Sequence, residues 1–170
     1  KCIADWKDED MRLKDKVAII TGAASGFGEG MARRFAEEGA KVAVADLNAK
    51  GAERVAAEIG EAAIAVTTDV SQRAEVEELV YAAKSAFGRV DIMINNAGYT
   101  HRNGDMLAVD EATFDLITAV NMKAIYHSTL AVVPPVDRQG GGVIINTAST
   151  AGLRPRPGLT WYNASKGWAI

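Results

Sequence analysis

The sequence contains one cysteine, no long apolar run and no large excess of charge of one sign. Its single cysteine, Cys2, excludes an intrachain disulfide and a metal site built from several cysteines. The formal net charge is −3 and both signs are interspersed, which gives no basis for binding nucleic acid or an anionic membrane. No apolar run approaches the roughly 18 residues of a membrane span. We therefore expect no metal, no nucleic acid and no membrane among the partners of this chain.

The first ten residues differ from the rest of the sequence. Residues 1–10 are mostly charged, and their acidic side chains argue against a signal peptide. We expect a disordered or artificial extension there, followed by one domain over residues 11–170. The whole sequence is 48 % apolar and 24 % charged, which is typical of a soluble globular protein. The expected location is therefore cytoplasmic.

Short apolar runs alternate with helical patterns along the chain. The predicted strands are 17–20, 41–46, 62–68, 90–94 and 143–147. The predicted helices are one that ends at Gly39, then 49–59, 73–87 capped by Ser71, about 111–132 ending before Pro134, and one that begins near Tyr162. This alternation predicts a Rossmann-like α/β fold, a doubly wound parallel sheet with right-handed crossovers. In such a sheet, ligands bind beyond the carboxyl ends of the strands.

A glycine-rich loop directly follows the first predicted strand. Gly22, Gly26 and Gly28 stand between a buried strand and the start of a helix. Glycines permit a tight turn there and let a pyrophosphate approach the N–H groups at the helix N-terminus. The pattern predicts a nucleotide-binding loop, with a glycine-rich turn that holds no ligand as the alternative.

Asp46 ends the second predicted strand, 18 residues after Gly28. A carboxylate at this place can accept hydrogen bonds from both hydroxyls of an adenosine ribose and would repel a 2′-phosphate. Ala24 and Ser25 in the loop supply no cation for such a phosphate. We therefore expect NAD in preference to NADP. The alternative role for Asp46 is to cap the helix at 49–59.

Tyr162 and Lys166 are four residues apart, so both side chains share one face if the segment is helical. A phenol normally loses its proton only near pH 10, but a neighbouring cation favours the phenolate. The pair could therefore act as a general acid and base near neutral pH. Taken alone, the spacing also fits a solvated helix face.

Five motifs occur in an order that resembles the short-chain dehydrogenase/reductase family. They are TGAASGFG at 21–28, NNAG at 95–98, Asn121, Ser149 placed 13 residues before Tyr162, and YNASK at 162–166. The resemblance covers the chain from about Leu13 to the last residue. It implies an NAD(H)-dependent oxidoreductase that transfers a hydride between the nicotinamide and a small alcohol or carbonyl, of the sugar, polyol or 3-oxoacyl type.

The resemblance also implies roles for four residues. Tyr162 would be the acid/base, and Lys166 would assist it and bind the nicotinamide ribose. Ser149 would hydrogen-bond the oxygen of the substrate. Asn121 would hold a water in a proton relay to Lys166. The alternatives are that Asn121 satisfies backbone groups and that Ser149 is a residue of the turn.

The resemblance further implies a set of residues that contact the cofactor. They are Gly22, Ser25, Gly26, Phe27, Gly28, Asp46, Asp69, Val70, Asn96, Ala97 and Gly98, together with Tyr162 and Lys166. His101 and Arg102 follow the NNAG motif. As a hypothesis they reach the mouth of the substrate site and favour a polar or anionic substrate, with solvated loop charges as the alternative. His127 is expected to lie in a core or an interface.

The sequence ends four residues after Lys166, whereas members of this family normally continue. The rest of the last helix, two strands and a substrate-covering loop would be missing, and the fifth strand would be an open apolar edge. We expect the sequence to be part of a longer NAD-binding polypeptide. A true truncation would favour a different function, that of a nucleotide-binding but non-catalytic fragment or regulatory subunit. The resemblance also implies a homodimer or homotetramer.

Overall fold

The computed structural model describes residues 11–170, and the predicted extension at 1–10 lies outside the described residues. The strands are β1 (Val17–Thr21), β2 (Lys41–Asp46), β3 (Ala63–Thr67), β4 (Ile92–Asn95) and β5 (Val143–Asn146). The α-helices are α1 (Gly26–Glu37), α2 (Ala49–Ile59), α3 (Arg73–Phe87), α4 (Glu111–Thr118), α5 (Ala124–Arg138) and α6 (Thr160–Trp168). A π-helical turn (Ala119–Lys123) and 3₁₀ turns (Met106–Ala108 and Thr150–Gly152) complete the regular structure of these residues.

The five strands form one parallel sheet in the order β3-β2-β1-β4-β5. The order reverses between β1 and β4, where Ile20 lies opposite Ile94. The chain leaves these two strands in opposite directions, so a crevice opens beyond their carboxyl ends. The predicted doubly wound, Rossmann-like fold is confirmed.

Helices cover both faces of the sheet. α1 and α2 pack on one face, and α3 and α5 pack on the other. β1 is therefore buried along its whole length, and its side chains alternate between two cores. Ile20 packs with Ala32 and Val55 on one side, whereas Ile19 packs with Leu79 on the other.

β5 forms an edge of the sheet. Val143 and Ile145 are 52 % and 46 % exposed, and no described strand pairs with the outer side of β5. The predicted open apolar edge is thus present in the part of the chain that the structure describes.

The prediction that the long helix ends before Pro134 is wrong. α5 continues to Arg138 with both prolines inside it. Beyond the prolines, Val136 packs against the core on the α3 side of the sheet, and Gln139 hydrogen-bonds the backbone carbonyl of Val90. These tertiary contacts outweigh the missing N–H groups, which a sequence pattern cannot foresee.

Ser71 was predicted to cap α3, and this is also wrong. α3 begins at Arg73, with Gln72 at the capping position and no side-chain capping bond. Asp69 organises the turn instead, because its carboxylate accepts a hydrogen bond of 2.9 Å from the N–H of Ser71.

α4, the π turn and α5 form one helical stretch of 28 residues, Glu111–Arg138. Its length and composition would suffice to cross a membrane, a criterion that core helices of soluble proteins also meet. In this chain Ile117, Ala124 and Val132 are buried. One face of the stretch therefore belongs to the core of the domain.

Glu38 makes the fold sensitive to acid. It follows α1, and its carboxylate accepts hydrogen bonds from the Arg12 side chain at 2.8 Å and from the Arg12 N–H at 3.2 Å. Arg12 thereby lowers the pKa of Glu38 from its usual 4.5 to about 2. A depressed folded-state pKa stabilises the fold above pH 4.5, and that stabilisation is lost as the pH falls towards 2.

We therefore expect the Glu38→Gln variant to lose less stability than the wild type between pH 5 and pH 2. Thermal midpoints across this range measure the effect. Glu37→Gln is the matched control, because Glu37 is an exposed neighbour that contacts only Arg34, at 3.1 Å, among the described residues. Parallel pH curves for the wild type and Glu38→Gln would contradict the prediction.

Candidate functional site

A cleft of about 570 Å³ lies at the carboxyl ends of the central strands. Its lining includes nine of the residues expected to contact the cofactor: Gly22, Ser25, Phe27, Asp46, Asp69, Val70, Asn96, Ala97 and Gly98. Five residues that the sequence did not indicate complete the lining: Leu47, Thr68, Tyr99, Leu116 and Val120. Leu116 and Val120 belong to a helical apolar pattern, and that pattern gave no signal that they line a cleft.

The glycine loop turns tightly into α1. Gly22 and Gly26 have φ angles of 65° and 56°, which residues with a side chain rarely adopt. A Cβ on Gly28 would overlap the carbonyl oxygen of Gly22, so only glycine fits there. Ser25 occupies the N-cap of α1 without a side-chain bond, which leaves the first N–H groups of the helix free of a side-chain cap. Such an N-terminus can bind an anion.

Thr21 and Asn96 join the ends of β1 and β4. The buried hydroxyl of Thr21 accepts hydrogen bonds from the N–H groups of Asn96 and Ala97, at 3.0 and 3.1 Å, and donates to the Ile94 carbonyl. In return, the Asn96 side chain donates to the carbonyl of Thr21 at 2.9 Å. Sequence reasoning did not assign Thr21 to the site, although it is the first residue of the TGAASGFG motif.

The carboxylate of Asp46 is held by two backbone donors. One oxygen accepts from the Ala24 N–H and the other from the Asn48 N–H, each at 2.9 Å. Asn48, rather than Asp46, caps α2, because its side chain accepts from Gly51. A carboxylate offers about four lone-pair sites, so two remain directed to other donors.

Asn121 lies in the π turn and is 3 % exposed. Its side chain exchanges two hydrogen bonds of 2.8 Å with the backbone of Tyr99 and donates a third, of 2.9 Å, to the Ser165 hydroxyl. The amide therefore joins the segment after β4 to α6. Asn121 thus satisfies the backbone groups of Tyr99, which corresponds to the alternative role stated for it.

Lys166 is 6 % exposed, and its Nζ donates a hydrogen bond of 2.7 Å to the carbonyl of Thr147, the residue after β5. Burial lowers the pKa of Lys166 from its usual value. The ammonium lies 6.0 Å from the centre of the Tyr162 ring. The two side chains therefore share one face of α6, as the spacing predicts.

Ser149 precedes the 3₁₀ turn Thr150–Gly152, and its hydroxyl accepts a hydrogen bond of 3.1 Å from the Ala151 N–H. The turn packs on α6, since a Cβ on Gly152 would come within 2.8 Å of the Lys166 carbonyl. Ser149 is thus held at the end of β5, and Tyr162 is carried by the helix on which that turn packs.

Gly98 connects the cleft with this group of polar residues. It lines the cleft, and a Cβ placed on it would lie 3.5 Å from Asn121 Oδ1 and 3.6 Å from Lys166 Nζ. Asn121 and Lys166 therefore lie directly behind Gly98, although neither of them, nor Ser149 or Tyr162, belongs to the lining of the cleft.

His101 and Arg102 have different surroundings. His101 is 6 % exposed, and its Nδ1 lies 2.7 Å from the Arg102 carbonyl, whereas the Arg102 side chain is exposed. His101 is therefore not a solvated loop residue. His127 is half-buried in α5 and its ring nitrogen lies 3.4 Å from the Val70 carbonyl, beside the small apolar cluster of Val70, Val76 and Ala124. Among residues 11–170, no cluster of three His, Cys, Asp or Glu residues could hold a metal ion.

Comparison with known proteins identifies the fold and the motifs. The sequence profile of the family described as short chain dehydrogenase matches residues 16–170. The chain belongs to the short-chain dehydrogenase/reductase family. The resemblance drawn from the five motifs is thereby confirmed.

Two curated members of the family and one solved structure illustrate the similarity. A 4-formylbenzenesulfonate dehydrogenase of Comamonas testosteroni is 50 % identical over 92 % of this chain and 63 % of its own length. A galactitol 2-dehydrogenase of Agrobacterium fabrum is 42 % identical over 92 % and 61 %. A 3-ketoacyl-(acyl-carrier-protein) reductase of Brucella melitensis, complexed with NADH, superposes with a TM-score of 0.89 at 51 % identity, covering 92 % and 66 %. The chain thus spans under two thirds of the length of each.

Two glycines of α1 offer a direct test of the loop geometry. Gly28→Ala should destabilise the fold by about 1–3 kcal/mol, because the added Cβ overlaps the Gly22 carbonyl. Gly30→Ala should stabilise it by about 0.5–1 kcal/mol, because Gly30 is helical and has open space around it. Chemical denaturation measures both. A Gly28→Ala variant as stable as the wild type would mean that the loop is not packed as described.

Ser165 connects Asn121 with the backbone of Tyr162, and a second serine, Ser128, provides the control. The Ser165 hydroxyl donates to the Tyr162 carbonyl at 2.8 Å and accepts from Asn121. Ser128, also buried in a helix, donates to the Ile125 carbonyl at 3.0 Å but has no link to another element among the described residues. Ser165→Ala strands a buried amide proton and should cost about 1–3 kcal/mol of unfolding free energy.

Ser128→Ala strands no donor, so its free energy of unfolding should stay close to that of the wild type. Denaturant titrations of the two variants provide the comparison. Equal losses in both would show that the bond from Asn121 contributes nothing to stability.

Proposed function

We propose that the protein is an NAD(H)-dependent oxidoreductase that transfers a hydride between the nicotinamide and a small alcohol or carbonyl substrate, with Tyr162 as the acid/base. The observation that carries this proposal is the position of Gly98, which lines the cleft and lies against both Asn121 and Lys166. A dinucleotide that filled the cleft would therefore end beside the Tyr162–Lys166 pair.

The residues present fit a dinucleotide. The cofactor, when bound, supplies the hydride chemistry, and the protein supplies binding, orientation and protons. Gly22, Ser25 and Gly28 would hold the pyrophosphate at the N-terminus of α1. Asp69 and Val70 would contact the adenine, because both line the cleft beside the ribose position of Asp46.

We propose NAD rather than NADP as the cofactor. The Asp46 carboxylate lines the cleft and keeps lone pairs free for two ribose hydroxyls. The same charge would repel a 2′-phosphate. Leu47, the next lining residue, is 70 % exposed and supplies no cation.

The catalytic roles follow from charge and position. The Lys166 ammonium lies 6.0 Å from the centre of the Tyr162 ring and would supply positive charge beside the phenol that takes a proton from an alcohol or gives one to a carbonyl. Ser149 would hydrogen-bond the substrate oxygen and the charge that develops on it. Lys166 would also donate to the nicotinamide ribose.

Asn121 would hold a water that relays protons to Lys166. Its side chain makes three of the four hydrogen bonds that an amide can make in this position. The remaining lone pair on Oδ1 and the main-chain carbonyl are the groups that can bind this water. Removal of the water site should slow proton exchange rather than weaken nucleotide binding.

The substrate class is proposed from the chemistry of the relatives. Their names specify an aromatic aldehyde that carries a sulfonate, a polyol and a 3-oxoacyl thioester. All three present an alcohol or a carbonyl to the nicotinamide. We propose a polar substrate of this kind, with the exposed Arg102 available to a negative charge.

We also propose a cytoplasmic homo-oligomer. The stretch that comprises α4, the π turn and α5 leaves several large apolar side chains exposed outside the cleft: Phe114, Tyr126, Leu130 and Val133. A second copy of the chain that packed on this stretch would remove them from water. The choice between a dimer and a tetramer is a matter for sedimentation analysis.

Replacement of one hydroxyl tests the mechanism. Tyr162→Phe should lower kcat by about 10²- to 10⁴-fold, because the acid/base is lost, while the Kd for NADH stays within about twofold. Turnover is measured with NAD and galactitol, with NAD and the hydrate that 4-formylbenzenesulfonate forms in water, and with NADH and acetoacetyl-coenzyme A. Fluorescence of the bound nicotinamide gives the Kd.

Tyr81→Phe is the matched control, because Tyr81 is 66 % exposed on α3 and lines no part of the cleft. Its kinetics should equal those of the wild type. Retained turnover in Tyr162→Phe would exclude Tyr162 as the acid/base. Firm NADH binding by the wild type without turnover of any of the three substrates would favour the alternative function, a non-catalytic nucleotide-binding fragment or subunit.

A further inference from the structure

An arginine of α2 reaches the glycine loop from outside the cleft. Arg54 donates a hydrogen bond of 3.1 Å to the carbonyl of Ala24 and one of 2.9 Å to the carboxylate of Glu29 in α1. Glu29 also accepts from Arg33, and both arginines contact Glu58. The loop is thus tied to a network of charges that none of the family motifs includes.

Ala24 is held through both of its backbone groups. Its N–H donates to Asp46 Oδ2 at 2.9 Å, and its carbonyl accepts from Arg54. Ala24 is 6 % exposed, and its side chain packs against α2, where a Cβ on Gly51 would come within 2.7 Å of it. Arg54 therefore holds the carbonyl of Ala24, and the N–H of Ala24 is one of the two backbone donors that hold the Asp46 carboxylate.

The charges of Glu29 and Arg54 hold the Arg54 guanidinium in place. Hydrogen bonds from Arg54 and Arg33 lower the pKa of Glu29 from its usual 4.5 to about 2. Glu29 is therefore an anion at all pH values at which the enzyme would work, and Arg54 is always a cation. Three charge-assisted hydrogen bonds, two to Glu29 and one to Ala24, restrict the guanidinium to one geometry.

We propose that Arg54 is a positioning residue that sets the preference for NADH over NADPH, an inference that rests on the proposed cofactor. It acts through the Ala24 backbone on Asp46, without contact with the cofactor. When Arg54 is lost, the loop and the carboxylate become mobile together. The bonds from Asp46 to the ribose hydroxyls weaken, and its repulsion of a 2′-phosphate weakens as well.

Arg33 provides the matched control for this idea. It contacts the same two glutamates as Arg54 and carries the same charge, but it makes no contact with Ala24. Any effect of net charge, or of the stability of the α1–α2 pair, should therefore appear in both Arg33→Ala and Arg54→Ala. An effect transmitted through Ala24 should appear only in Arg54→Ala.

The experiment measures the Kd of the purified protein and its variants for NADH and for NADPH by nicotinamide fluorescence. We expect Arg54→Ala to weaken NADH binding about fivefold, the equivalent of one lost hydrogen bond, and to change NADPH binding less. The ratio of the two Kd values should therefore shift towards NADPH. Arg33→Ala should keep both Kd values within about twofold of the wild type.

A lysine variant and thermal midpoints separate the proposed effect from a loss of folding. Arg54→Lys keeps the charge but can reach only one of the two acceptors at a time, so its selectivity should lie between those of the wild type and Arg54→Ala. Thermal midpoints establish that each variant is folded at the temperature of the titration.

Three outcomes would overturn the proposal. Equal shifts in Arg33→Ala and Arg54→Ala would assign the effect to charge or stability. An unchanged ratio in Arg54→Ala would show that Arg54 does not act on Asp46. A ratio that shifts towards NADH would make Arg54 a direct ligand of the 2′-phosphate. A wild type that binds neither nucleotide would instead refute the proposed cofactor, and the inference with it.

Discussion

The crossed hydrogen bonds between Thr21 and Asn96 fix the two strands between which the sheet reverses. Because the chain leaves β1 and β4 in opposite directions, the ladder between these two strands ends at the pair Ile20 and Ile94, and the segments beyond need another connection. The buried Thr21 hydroxyl and the Asn96 amide supply that connection. They bring the backbones so close that a Cβ on Gly22 would lie 2.9 Å from the Cα of Ala97. The glycine loop and Gly98 then diverge from the joined ends of β1 and β4, and the space between them is the cleft.

Sequence patterns predicted the parts of this arrangement that depend on local chemistry. β1 appears as a continuous apolar run because both of its faces are buried. The glycines that follow it indicate positive φ angles, which other residues rarely adopt. The spacing of Tyr162 and Lys166 reports a helix face. Each of these signals is contained within a few consecutive residues, which is why the fold and the glycine loop could be inferred. Most of the other residues of the cleft lining were expected only from the resemblance to the family.

Features that depend on distant contacts could not be inferred. The continuation of α5 through Pro134 depends on Val136, which packs against the core on the α3 side of the sheet, and on Gln139, which hydrogen-bonds Val90, 49 residues earlier. The π turn is another such feature, and Asn121 within it hydrogen-bonds Tyr99 and Ser165. No local pattern of apolar residues distinguishes this turn from an ordinary helix. The support of Asp46 through Ala24 from Arg54 is hidden for the same reason.

The two ends of the cleft are held by different elements. Near Asp46, the loop is fixed by the tight turn, by the Ala24 backbone bonds and by the ion pairs between α1 and α2. Near Lys166, the supporting carbonyl belongs to Thr147, the residue after β5. For the proposed function, binding of the adenosine half should depend on the glycine loop, on Asp46 and on the residues after β4, whereas the acid/base pair should depend on β5 and α6. Changes in β5 should then reduce turnover more than nucleotide affinity, because β1 and β4 separate β5 from β2, the strand that carries Asp46.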